Sequence, residues 1–259
     1  YTLSLHDALP IFNLNHRLNC IGYLDLSSFG EEYKYTGCLG MADIVLALKW
    51  VHENIAAFGG DPENVTVAGQ SGGGGKTLAL LQMPEADGLY HKLISQSGAI
   101  RRGVSTNLEE EKAYWQELGK KTVEILGLNA DTIDRIREIP YEQLSAAASR
   151  AGNELGREPG MMLFIPSPVK GYYEGPFDLA GFRKETASVP VIAGTVLGEF
   201  NFMHYLGDKG QMTRDKKMAV LQDAFGEKTG RILEQFGKLY PEKDILYALK
   251  IWTQISTAS

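Results

Sequence analysis

Residues 69–73 read Gly-Gln-Ser-Gly-Gly, a G-x-S-x-G pattern. It follows a β-branched run, Val65-Thr66-Val67-Ala68, and precedes a helical run from about Lys76 to Met83 that Pro84 ends. A strand before and a helix after are the setting in which this pattern forms a nucleophile elbow. The chemistry on offer is acyl transfer. The turn would lift the Ser71 hydroxyl above the end of the strand, and small residues at Gly69 and Gly73 would avoid the neighbouring backbone. The Gly72 N–H, at the helix start, would point where an oxyanion develops. Two other readings compete on the motif alone. Gly75-Lys76-Thr77 could close a phosphate loop, but its first glycine would fall on Gln70, and no aspartate ends a later apolar strand to hold magnesium. The third reading is a glycine-rich turn without chemistry, in a chain with 29 glycines in 259 residues.

The elements that must position this turn can be read from apolar spacing. Met41, Ile44, Val45, Leu48, Val51 and Ile55 share one helical face, and Gly59-Gly60 with Pro62 end that helix. Lys92–Ser95 reads as a strand, and Val189–Val196 as an apolar run suited to a central parallel strand covered on both faces. Phe12–Asn15 and Cys20–Leu26 read as strand ends, and the polar stretch 27–40 as a loop. Leu108–Leu126 is an amphipathic helix, Asp131 is expected to cap a short helix that Pro140 stops, and Tyr141–Ala151 is helical. Thr213–Ile255 is mostly helical with a break near Pro241. Strands alternating with helices predict an α/β protein with a mostly parallel sheet flanked by helices. Residues 101–185 form a mainly helical insertion over the sheet's edge.

Composition narrows the function classes. The net charge of −6 lacks the basic face that nucleic-acid affinity needs. No apolar run approaches the ~18 residues of a membrane span. Two cysteines, Cys20 and Cys38, without C-x-x-C spacing exclude a zinc cage or a disulfide framework and leave one disulfide open. No H-E-x-x-H or Cys/His cluster suggests a metal site. Residues 1–11 (YTLSLHDALPI) lack the order of a signal peptide and resemble translated adapter read-through. They are expected to be a non-native leader ahead of a partial domain at 12–259.

Asn15-His16-Arg17-Leu18, the run from Trp50 to Pro62, Val65 to Gly73, Gln96-Ser97-Gly98-Ala99, and Val189 to Thr195 with Glu199 together resemble the type-B carboxylesterases. This is the family of the para-nitrobenzyl esterases and, more distantly, the cholinesterases. The likeness spans residues 12–205. It implies an α/β-hydrolase fold, truncated at both ends, and hydrolysis of a small-molecule carboxylic ester through an acyl-enzyme, without a cofactor. By the same likeness Ser71 matches the nucleophile, Gly72 the oxyanion donor, Glu199 the triad acid and Ser97 a buried serine supporting that acid. Gln70 stands where many members have Glu. From position alone, Glu199 lies just past the carboxyl end of an apolar strand and after Ser71, in the order this fold uses.

A serine nucleophile near neutral pH needs a general base. The histidines are His6, His16, His52, His91 and His204. His6 lies in the leader, His16 and His52 sit in structural motifs of the family, and His91 precedes the acid. His204 follows Glu199 by five residues, too few for a separate loop. The resemblance places the catalytic histidine beyond residue 259 and an oxyanion loop ahead of Asn15. The expectation is therefore an internal fragment of a longer esterase, inactive by itself. The alternative is a non-catalytic cholinesterase-like interaction module, and Ser71 argues against it because such modules typically lose the nucleophile. Trp115, Tyr172, Tyr173 and Phe202 could line a pocket, and the expectation is that they pack in the core.

Overall fold

The computed structural model describes residues 10–98, 107–156, 165–196 and 211–249. Its centre is a three-stranded sheet of strands β1 (Thr66–Gln70), β2 (Lys92–Gln96) and β3 (Val191–Gly194), in that order. All pairings are parallel, with Val67 beside Leu93 and Leu93 beside Val191. The helices in chain order are α1 (Asn19–Tyr23), α2 (Leu39–Asn54), α3 (Gly72–Ala79), α4 (Leu108–Ile125), α5 (Tyr141–Glu154), α6 (Phe177–Ala180), α7 (Arg214–Phe225) and α8 (Thr229–Leu239). The parallel sheet and its crossover helices agree with the α/β expectation.

One face of the sheet carries the core. Leu93 is 1% exposed, and with it are buried Met41, Ile44, Val45 and Leu48 of α2, Leu78–Leu81 of α3 and its extension, and Tyr23, Tyr172 and Tyr173. The α2 stripe is the one the spacing predicts. Trp115 is buried in a second cluster with Leu118 and Ala151, where α4 meets α5. The core reading of Trp115, Tyr172 and Tyr173 thus holds, and Phe202 lies outside the described residues. Arg17 ties the chain ahead of α1 to α2. Its backbone N–H and Nε donate to Asp43 Oδ2 at 2.8 and 2.9 Å, and a terminal nitrogen donates to Oδ1 at 2.7 Å.

The structure departs from the sequence reading in five places. Neither Phe12–Asn15 nor Cys20–Leu26 is a strand end: the first has no regular structure, and in the second Cys20, Tyr23 and Leu24 are buried at helical spacing, and α1 forms there. An apolar run that short fits either period. α3 begins at Gly72, four residues before the expected start, although four successive glycines are poor helix formers. Asp131 caps nothing. Its backbone N–H donates to Asn129 Oδ1 in a turn, and Thr132 precedes the short 3-10 helix Ile133–Glu138. The C-terminal helical stretch breaks at Gly226, in left-handed backbone, as well as near Pro241, beyond which residues 247–249 are helical again.

The fifth departure concerns burial. β3 is not a covered central strand but the edge of the described sheet, exposed along its length, and Ile192 is 69% exposed. β1 likewise alternates between exposed and half-buried residues. Pro190 is tolerated because it precedes β3, where its carbonyl accepts the Leu93 N–H at 3.0 Å.

Candidate active site

Ser71 sits between β1 and α3 with φ 54° and ψ −120°, a left-handed backbone that a residue with a Cβ rarely adopts. Such strain persists only where the surroundings impose it. Here they do. The Ser71 N–H donates to the Gln96 carbonyl at 2.8 Å, and the Ser71 carbonyl accepts the Gly75 N–H at 2.9 Å as the first bond of α3. The reversal brings α3 back over the end of β1. A methyl group at Gly69 would overlap the Gly73 carbonyl and lie 2.8 Å from the Gly74 nitrogen. Only glycine fits there, as the motif predicts.

Gly73 differs from Gly69. Among the described residues nothing lies within 4 Å of a methyl placed on Gly73, so that glycine is not demanded by its own side-chain space. The demanding position is its neighbour. A methyl on Gly74 would lie 2.9 Å from the Gly98 Cα and 3.0 Å from the Gln96 and Gly69 carbonyl oxygens. Within the glycine run after Ser71, Gly74 is thereby explained by the backbone that crosses it. The sequence reading missed Gly74, Gly98 and Ser95 as parts of this packing. The usable signals were the length of the glycine run and the Ser-Gly pair just after β2.

Gly72 is the first residue of α3, so its N–H is one of the donors that a helix leaves without an internal partner. Helix N-termini carry partial positive charge, which favours an anion beside Ser71. The Lys76 ammonium lies 3.4 Å from the Gly72 carbonyl oxygen and over the Tyr23 ring, 5.8 Å from its centroid. Burial pushes the Tyr23 hydroxyl well above its ordinary pKa, keeping it neutral.

Ser97 follows β2, is 6% exposed, and has φ 52°. Its N–H donates to the Gly194 carbonyl at 2.6 Å, which fixes the turn to β3. Glu199, the acid that Ser97 would support, lies outside the described residues, as do His6 and His204. His91 does not approach Ser71. Its Nδ1 accepts the Val65 N–H at 3.1 Å, at the amino end of the sheet. β1 spans five residues between Val65 and Ser71, roughly 16 Å of strand rise. His16 Nδ1 donates to the Arg17 carbonyl at 2.9 Å, and His52 is exposed in the last turn of α2.

Cys20 and Cys38 are both buried free thiols, so the disulfide left open by the sequence is absent. Cys38 Sγ donates to the Ser167 carbonyl at 2.9 Å, and burial pushes its pKa far up, so it stays an unreactive thiol. Among the described residues no group of three His, Cys, Asp or Glu side chains is placed to hold a metal ion. No described helix is long and apolar enough to cross a membrane.

Comparison with known proteins assigns the family. Residues 9–243 match the model of the carboxylesterase family. The para-nitrobenzyl esterase of Bacillus subtilis is 33% identical over 248 residues, covering 92% of this chain and 46% of that protein. The phenmedipham hydrolase of Pseudarthrobacter oxydans is 36% identical over 143 residues, 55% of this chain and 26% of its own length. Among solved structures, an esterase of Clostridium hathewayi that hydrolyses aliphatic aromatic polyesters superposes with a TM-score of 0.69 at 35% identity, over 91% of this chain and 46% of that one. A thermophilic para-nitrobenzyl esterase superposes with a TM-score of 0.65 at 30% identity, over 93% of this chain and 47% of its own. The chain spans about half the length of the relatives it matches most fully. Its parallel sheet and the strand–Ser71–helix turn are those of the α/β-hydrolase fold, and the chain belongs to the carboxylesterase family.

Proposed function

We propose that this chain is the nucleophile-bearing part of a serine carboxylic-ester hydrolase acting on small-molecule esters. The observation that carries the reading is the strained backbone of Ser71 at a strand-to-helix turn, with the Gly72 N–H beside it at the start of α3. Backbone strain of this kind clusters at active sites, where it holds a side chain in a presented position. In the mechanism this supports, Ser71 Oγ attacks the ester carbonyl carbon and gives its proton to a histidine base. The carbonyl oxygen becomes an oxyanion facing the Gly72 N–H and the positive end of α3. Collapse expels the alcohol, which takes the proton from that histidine, and leaves an acyl-serine. Water then hydrolyses the acyl group by the same steps in reverse roles. Glu199 is assigned to orient the histidine, and Ser97 to support Glu199. The names of the relatives, which include a para-nitrobenzyl esterase and an esterase of polyesters, support carboxylic esters as the substrate class.

The histidine is the part this stretch of chain does not supply in the proposed scheme. Loss of the base alone costs several orders of magnitude in kcat. Residues 1–259 by themselves are therefore expected to turn over a p-nitrophenyl ester negligibly, whereas a full-length gene product carrying this segment is expected to label stoichiometrically at Ser71 with a fluorophosphonate. Failure of the full-length protein to label would favour an interaction module over an enzyme. Robust turnover by residues 1–259 that disappears in Ser71→Ala would instead make His204 the base.

A further inference from the structure

We propose that the carboxyl end of β2, through Ser95 and Gly98, positions the first turn of α3 and hence the Gly72 N–H. This deepens the ester-hydrolase reading and rests on it. Three contacts carry the argument. Ser95 is 1% exposed, and its hydroxyl donates to the Gly74 carbonyl at 3.1 Å. The Gln96 carbonyl accepts the Ser71 N–H at 2.8 Å. The backbones at Gly98 and Gly74 touch: a methyl on Gly98 would overlap the Gly74 carbonyl carbon and lie 2.5 Å from the Gly75 nitrogen. Ser95, Gln96 and Gly98 thus hold Ser71 and Gly74 on either side of Gly72, from outside the helix.

The support is itself fixed. Ser97 lies between Gln96 and Gly98 in left-handed backbone, with its N–H on the Gly194 carbonyl at 2.6 Å. The position of β3 is thereby transmitted through the turn to Gly98 and on to Gly74. By contrast, Thr77 donates to the Gly73 carbonyl at 2.9 Å from within α3 and would travel with the helix if it moved. The β2 contacts are therefore the ones that set where the helix starts relative to the sheet. An oxyanion donor works only within a few tenths of an ångström of its place, and a displacement near 1 Å can cost about a hundredfold in rate. Ser95 and Gly98 are positioning residues. Neither needs to touch substrate.

The test uses the full-length gene product, with kcat, KM and the affinity for an alkyl boronic acid measured in Gly98→Ala and Ser95→Ala. The boronate mimics the tetrahedral adduct and reports on the oxyanion donors, which a loss of stability alone would not change. Gly98→Ala is expected to lower kcat about tenfold to a hundredfold and boronate affinity in step, with KM within about twofold. Ser95→Ala is expected to do the same about threefold. Normal kcat in both variants, or lowered kcat with unchanged boronate affinity, overturns the proposal. If Gly98→Ala does not fold, Ser95→Ala decides, since an unchanged kcat and boronate affinity there overturn it too. Ser71→Ala separates the two levels. Persisting activity in Ser71→Ala removes the reading of Ser71 as the hydrolase's nucleophile, whereas an inactive Ser71→Ala beside normal positioning variants removes only this inference.

Discussion

The two faces of the sheet are made of similar residues and live in different surroundings. On one face Val67 and Leu93 lie side by side and pack against α2 and α3, and Leu93 is fully buried. On the other, Ala68, Ile94 and Ile192 form a row across the three strands whose two ends are exposed, Ile192 more so than Val191, its neighbour on the covered face. Apolar character alone therefore does not report burial. It reports which surfaces a side chain is suited to, and only the packing of helices decides which face is used. The chain also holds an apolar cluster drawn from 211–249 alone, in which Leu221, Phe225, Phe236 and Leu249 pack against one another.

The contrast can be broken by mutation. Leu93→Ala should cost about 3–4 kcal/mol in urea unfolding with an unchanged m-value, because it leaves a cavity on the covered face. Leu221→Ala should cost about 2–3 kcal/mol, with hydrogen exchange quickening in 211–249 and not in β2, since its cluster shares no described member with the sheet. Arg17→Ala should cost about 1 kcal/mol, the modest figure reflecting a half-exposed guanidinium. Its pH dependence has a definite sign. The Arg17 hydrogen bonds hold the Asp43 carboxyl below its ordinary range. The stabilisation is fully present above the ordinary carboxylate value and fades as pH falls through the lowered one. The wild-type and Arg17→Ala stabilities should differ by a constant amount from neutral pH down to about 5 and converge below about 4. Ile192→Ala, on the open face, should change stability by less than about 0.5 kcal/mol. An Ile192→Ala cost equal to that of Leu93→Ala would show that the open face is covered in solution.

The elbow shows how much was legible beforehand. Strand, turn and helix around Ser71 follow from a β-branched run, a G-x-S-x-G pattern and a proline-ended apolar stretch, all local in sequence. The requirement for glycine at 69 follows from the same turn. The start of α3 at Gly72 could not be read this way, because four glycines disfavour a helix, and the one that packing demands, Gly74, is set by the Gly98 backbone 24 residues away. The same limit applies to α1. Cys20 and Leu24 fit either period, and the choice between them was made by packing: these two enter a cluster with Leu26, Tyr33 and Ala148, while Tyr23 enters the core with α2.

What the sequence determined unaided is what short-range chemistry controls: the α2 stripe, the three strands of the described sheet, the strained turn at Ser71 and the family they mark. Tertiary structure decided which apolar runs are buried, which glycines are obligatory and which histidines stand far from the nucleophile. His91 illustrates the division. Its residue type suits a base, yet the parallel register puts it at the amino end of the sheet while Ser71 occupies the carboxyl end. Direction and register are relations between strands, and no single strand's sequence contains them.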